Sequence, residues 1–85
     1  MTIAARMRRH KLPKCIRWTA SDIVEADYKG QRMWCGLITN DIVGPKIRRA
    51  FAEVAVPLDA DEATIGKIIE RAVVDLAQQA RAISG

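Results

Sequence analysis

The apolar positions of this chain follow two different periods, and each marks a different kind of element. From Leu58 to Ile83, Ile65, Ile68, Ile69, Ala72, Val73, Leu76, Ala77, Ala80 and Ile83 recur as i, i+3, i+4, i+7, with Lys67, Glu70, Arg71, Gln78 and Arg81 on the other side. That spacing predicts one long amphipathic helix. Asp59 stands where a side chain caps the first free N–H groups, Glu62 three residues on completes a capping box, and Leu58 occupies the staple position. Gly66 costs about 1 kcal/mol against alanine, and the stripe continues through it.

From Lys14 the period is two. Ile16 and Trp18 alternate with Cys15, Arg17 and Thr19, which predicts a first strand, and polar turn formers follow over residues 19–22. A hairpin comes next, with Lys29-Gly30 at its tip. Pairing Tyr28 with Gln31 sets Asp27 opposite Arg32, Ala26 opposite Met33, Glu25 opposite Trp34 and Val24 opposite Cys35. Directly opposed residues share a face. One face then reads Val24, Ala26, Tyr28, Met33, Cys35 and Leu37, and the other Glu25, Asp27, Arg32 and Trp34. The segregation of apolar from charged positions favours this register and makes the first face the expected core side.

Beyond Ile38 the polar run Thr39-Asn40-Asp41 leaves the sheet, Ile42 and Val43 suit a single turn, and Gly44-Pro45 restarts the chain with proline at a first helical position. Ile47, Ala50, Phe51 and Val54 then repeat at helical spacing, and Arg49 and Glu53 pair across one turn for a few tenths of a kcal/mol. Pro57 closes this helix, and the short link to the next favours an antiparallel neighbour. The expected fold is α+β: a three-stranded antiparallel β-meander followed by a helical hairpin packed on one face. Its core is Val24, Ala26, Met33, Cys35, Leu37 and both helix stripes, with Trp18 also assigned to the core. Residues 1–13 show no stripe and read as a basic mobile arm; residues 14–85 form the single domain.

The run Ile16-x-Trp18-x-Ala20, then Ala26-x-Tyr28-x-Gly30 and Met33-x-Cys35-x-x-Ile38, resembles a small bacterial family known only as a domain of unknown function. In that family a short β-meander with a glycine turn and a following cysteine precedes two helices. The resemblance spans roughly residues 14–83 and implies the fold but no activity. The basic leader and Gly44-Pro45 depart from its pattern.

Charge alters the picture of the leader. The chain of 85 residues carries a net charge of +4. Residues 1–20 hold Arg6, Arg8, Arg9, Lys11, Lys14 and Arg17 and no acid, while the remainder has more acidic than basic side chains. Arginines stand where a signal peptide needs an apolar stretch, and no apolar run is long enough to span a membrane. The reading is a cytoplasmic protein of bacterial or phage type. Cys15 and Cys35 are too few and too far apart for a zinc motif or a redox pair, and read as buried free thiols.

Catalytic chemistry finds no foothold. His10, the one histidine, lies among Arg8, Arg9 and Lys11 with nothing to orient it, and no metal-ligand spacing or phosphate loop occurs. Asp59, Asp61 and Glu62 crowd a helix start, where the helix dipole accounts for them. No catalytic residue, metal or cofactor is expected. Two binding readings remain open. In the first, Trp34 and Ile23, extended by Ile38, form an apolar patch on the sheet face away from the helices, rimmed by Glu25, Asp27 and Arg32, that meets a partner protein or a second copy. In the second, Arg6, Arg8, Arg9, Lys11, Lys14 and Arg17, joined by Arg48 and Arg49, contact nucleic-acid phosphates. Zinc-finger spacing and an aromatic base-stacking run are both missing, and the hairpin excludes a ribbon-helix-helix arrangement. The first reading, a non-enzymatic accessory or regulatory protein acting through protein contact, is preferred.

Overall fold

A computed structural model describes the backbone of residues 2–42 and 48–84 and the side chains of residues 2–40 and 49–82. The expected turn at Val43 and restart at Gly44-Pro45, and the side chains of Ile47, Arg48 and Ile83, lie outside the described residues. The element order is α1 (Ile3–Arg9), β1 (Ile16–Trp18), β2 (Val24–Tyr28), β3 (Gln31–Ile42), β4 (Arg48–Pro57) and α2 (Glu62–Ser84). The class is α+β, an antiparallel sheet with the C-terminal helix packed on it.

The hairpin register is the one the sequence predicts, from Tyr28 opposite Gln31 to Val24 opposite Cys35. Its two-residue tip places Lys29 at φ 51° and Gly30 at φ 83°, the left-handed pair that matches strand twist in a tight hairpin. The strand β3 continues to Ile42, beyond the expected exit at Thr39, because β4 pairs with it from Met33–Pro57 to Ile42–Arg48. Residues 48–57 are therefore a strand and not the expected helix. Apolar residues at Ala50, Phe51, Ala52, Val54, Ala55 and Val56 satisfy both periods. The alternation of Ala50, Ala52, Val54 and Val56, buried or half-buried, is the one that packs, and the branched valines suit a pleated surface. On a strand, the Cα atoms of Arg49 and Glu53 lie about 13 Å apart and no longer stand one helical turn from each other.

β1 and β2 both pair with β3, on the edge opposite β4, and so lie end to end. Between them, residues 19–23 face only Gly36 and Leu37 of β3. The excess bulges outward, after the Thr19 N–H has extended the β1 ladder to the Leu37 carbonyl at 3.0 Å. The bulge lays Ile23 over Gly36. A Cβ there would stand 2.9 Å from Ile23 Cγ1 and 3.1 Å from the Trp18 ring, so glycine is required by close approach.

The covered face carries Ile16, Trp18, Trp34, Ile38, Ala50, Val54 and Val56, which join Ile65, Ile69, Ala72 and Leu76 of α2 in one cluster. The face expected to be core is the open one: Val24 is 50% exposed and Leu37 37%. The charged set that pointed outward in the sequence, Glu25, Asp27 and Arg32, shares the covered face near the hairpin tip. There Arg32 reaches Glu25 at 3.5 Å and Asp27 at 3.7 Å.

α2 starts two residues later than expected. The Asp61 carboxylate accepts from the Thr64 N–H at 2.8 Å, so Asp61 is the cap, and hydrogen bonds from the Thr64 side chain and then from its backbone N–H hold the carboxyl below the usual range. Ala60 and Ile65, both buried, take the staple positions in place of Leu58, which is exposed. The leader gives the second difference. Thr2 caps α1 by accepting from the Ala5 N–H at 3.1 Å, and Met7 is fully buried in the common core. Two turns offer too few positions to register as a stripe, yet Ile3, Ala4 and Met7 all pack inward. Met7→Ala should cost roughly 2–5 kcal/mol, and Gln78→Ala, exposed on α2, less than about 0.5 kcal/mol. Thermal melts check this; equal shifts would place Met7 outside the core.

Candidate functional site

The surface with the most unusual chemistry is the open sheet face. Strand alternation puts Val24, Ala26 and Tyr28 of β2, Met33, Cys35 and Leu37 of β3, and Phe51, Glu53 and Ala55 of β4 on it. Phe51 is 47% exposed, and with Val24 and Leu37 it makes three large apolar side chains open to water on one face. Isolated exposed apolar residues are ordinary, but several on one flat face mark a contact surface. Polar groups border it: Glu53 directly opposite Leu37, and Arg17 directly opposite Thr39. Thr39 itself is buried, its hydroxyl donating to the Ala50 carbonyl at 3.0 Å.

The residues expected to form the partner patch lie elsewhere. Ile23 is buried over Gly36, and Trp34 packs against the core from the covered face. Glu25 stands directly opposite Trp34, and Arg32 is bound to Glu25 and Asp27. Trp34, Glu25 and Arg32 do come together, on the covered face instead of the free one, while Ile23 belongs to the core. Val24, Leu37 and Phe51 were missed because their apolarity looked like a core signal.

The basic residues divide into groups. Arg6 reaches Glu62 of α2 at 3.5 Å, and Arg8 Nη2 donates to the Ser21 carbonyl at 3.0 Å, so both fasten α1 to its neighbours. Arg6, Arg9, His10, Lys11 and Glu62 line a polar depression of about 370 Å³ along the α1–α2 seam. His10 lies close to Gly66, and a Cβ at that glycine would stand 3.5 Å from its Cε1. Beside this an apolar depression of about 460 Å³ runs over Leu12, Pro13, Ile69, Val73 and Val74. Lys14 is exposed outside either depression. Arg17 and Arg49 line a different depression, about 420 Å³, with Trp18, Thr39 and Phe51. Arg48 belongs to β4, and its side chain lies outside the described residues.

Among the described residues, no three His, Cys, Asp or Glu side chains group as a metal site, and no helix is long and apolar enough to cross a membrane. Cys15 is exposed and Cys35 half-buried, so the expected pair of buried thiols is corrected for Cys15. Burial, and then the nearby Glu53 carboxylate, push the Cys35 thiol up. No protein-family model, curated protein or solved structure matches the chain. The pattern resemblance described above rests on its own residues.

The two thiols should therefore react in separate phases, since the thiolate is the attacking form. Under a chromogenic disulfide reagent Cys15 should react first. Cys35 should lag, and its rate should go on rising with pH beyond the point where an ordinary thiol levels off. Glu53→Gln should shorten the lag without abolishing it, burial being the larger cause. A single phase for both thiols would contradict these placements.

Proposed function

We propose that this chain is a small non-enzymatic binding protein, an accessory or regulatory factor that acts through protein–protein contact on its open sheet face. The observation that carries the reading is the exposure of Val24, Leu37 and Phe51 on a face that no element of the chain covers among the described residues. Its apolar centre suits a desolvated contact. The bordering Arg17, Arg49 and Glu53 suit a polar rim that limits unspecific adhesion. The thiol form of both cysteines fits a reducing cytoplasm.

A second reading has its own observation. The seam depression collects Arg6, Arg9, His10 and Lys11, a cationic set with the chemistry to hold phosphates of a nucleic acid. Its weakness is that Arg6 already meets Glu62 and that Arg17 and Arg49 line a different depression. The protein-contact reading has three exposed apolar side chains of one sheet face behind it.

The test is affinity capture from cells with two baits, wild type and Val24→Lys with Leu37→Lys. Both positions are exposed, so the melting temperature should barely move. Wild type should retain protein partners that the variant loses. Identical partner sets from the two baits, or capture of nucleic acid alone, would overturn the reading.

A further inference from the structure

The two edges of the sheet are built differently. One is β1 and β2, three and five residues long, interrupted by the bulge at residues 19–23. Short strands and bulges are how sheets avoid pairing with other chains. The other edge is β4: ten residues, in unbroken register with β3, with proline only at its last position. Among the described residues β4 pairs with β3 alone. Glu53 and Ala55 of β4 line a depression of about 300 Å³ together with Tyr28 of β2 and Lys67, Ile68 and Arg71 of α2.

The sequence of β4 is chemically symmetric about Phe51. It reads Arg49-Ala50-Phe51-Ala52-Glu53, with opposite charges at the ends and alanines between. Antiparallel pairing of two such strands about a two-fold axis at Phe51 sets Arg49 of one copy directly opposite Glu53 of the second, twice. It also sets the two Phe51 rings side by side on the open face. Opposite charges and aromatic pairs in directly opposed positions are the side-chain contacts that stabilise a sheet, and like charges there oppose it. On the covered face the same register places Ala50 opposite Ala52. Both are small, so no bulky side chain separates the two strands on that face. A two-residue slip in either direction loses both ion pairs, setting Arg49 opposite Phe51 or Ala55.

We propose that β4 is a self-association edge, joining two copies of this chain antiparallel at Phe51 into one continuous sheet with all helices on one side. The arrangement satisfies the outer backbone groups of β4 and doubles the open face. It uses Phe51, Arg49 and Glu53 of that face and leaves Val24 and Leu37 open.

Charge reversal tests it. By light scattering the wild type should show twice the 9.4 kDa chain mass. Arg49→Glu alone sets glutamates opposite each other and should give a monomer; Glu53→Arg alone sets arginines together and should do the same. An equimolar mixture of the two single variants restores both ion pairs and should return to the dimer mass, as should the double variant carrying both changes. Rescue by mixing also shows that each variant is folded. Backbone amide exchange in β4 should slow in the wild type and the mixture and quicken in either variant alone. A monomeric wild type overturns the proposal, and so does a dimer that survives either single reversal. Val24 and Leu37 are untouched, so either result leaves the protein-contact reading to its own test.

Discussion

The unbroken ladder between β3 and β4 governs the rest of the fold, because it builds the surface on which α2 lies. Ten residue pairs run from Met33–Pro57 to Ile42–Arg48 without a slip. Since side chains alternate, that register sends Ile38, Ala50, Val54 and Val56 to one side together. α2 brings Ile65, Ile69, Ala72 and Leu76 to meet them. Each large side chain fully buried there contributes about 1.5–3 kcal/mol against exposure. A one-residue slip would turn the covered side of β4 into Phe51, Glu53 and Ala55. The core would gain a carboxylate and lose both valines, so register and burial enforce one another.

Among the described residues α2 covers one face of the sheet. α2 lies mainly over β4. The rest of the covered side is closed by small devices: Ile23 carried over Gly36 by the bulge, the Trp18 ring beside it, and Met7 from α1. The leader arginines belong to this closure. Arg6 holds α1 to α2 through an exposed ion pair, a kind that contributes at most about 1 kcal/mol, and Arg8 holds it to the bulge through a hydrogen bond to the Ser21 carbonyl. Among the described residues no element lies over the other face, where Val24, Leu37 and Phe51 are exposed. Function is proposed where the fold leaves apolar surface unspent.

The sequence made α2, the hairpin and its register legible, because each rests on local signals: a sustained stripe, a two-residue turn and paired alternation. It misled where a local pattern fits two structures. Residues 47–56 are apolar at both periods, and only their pairing with β3 makes them a strand. The choice of core face went wrong for a related reason. Glu25, Asp27 and Arg32 belong to the covered side but sit near the hairpin tip, away from the residues that α2 covers. The open face is apolar in its own right, so composition could not separate it from a core. The capping site shifted because residues 59–62 offer two aspartates, and Asp61 is the one followed by Thr64 at bonding distance. The candidate site was half visible: Arg17 and Arg49 were named for their charge, while Phe51 was assigned to a helix stripe.

Which face of the sheet meets solvent is the claim on which the functional reading stands, and a soluble paramagnetic probe reports it directly. Side-chain proton relaxation would be measured in the purified protein with a neutral gadolinium chelate. Val24, Leu37 and Phe51 should broaden strongly, while Ile38, Val54, Val56 and Leu76 stay sharp. Strong broadening of Val54 and Val56 with protection of Val24 and Leu37 would show that the helix covers the opposite face, and the account would fall.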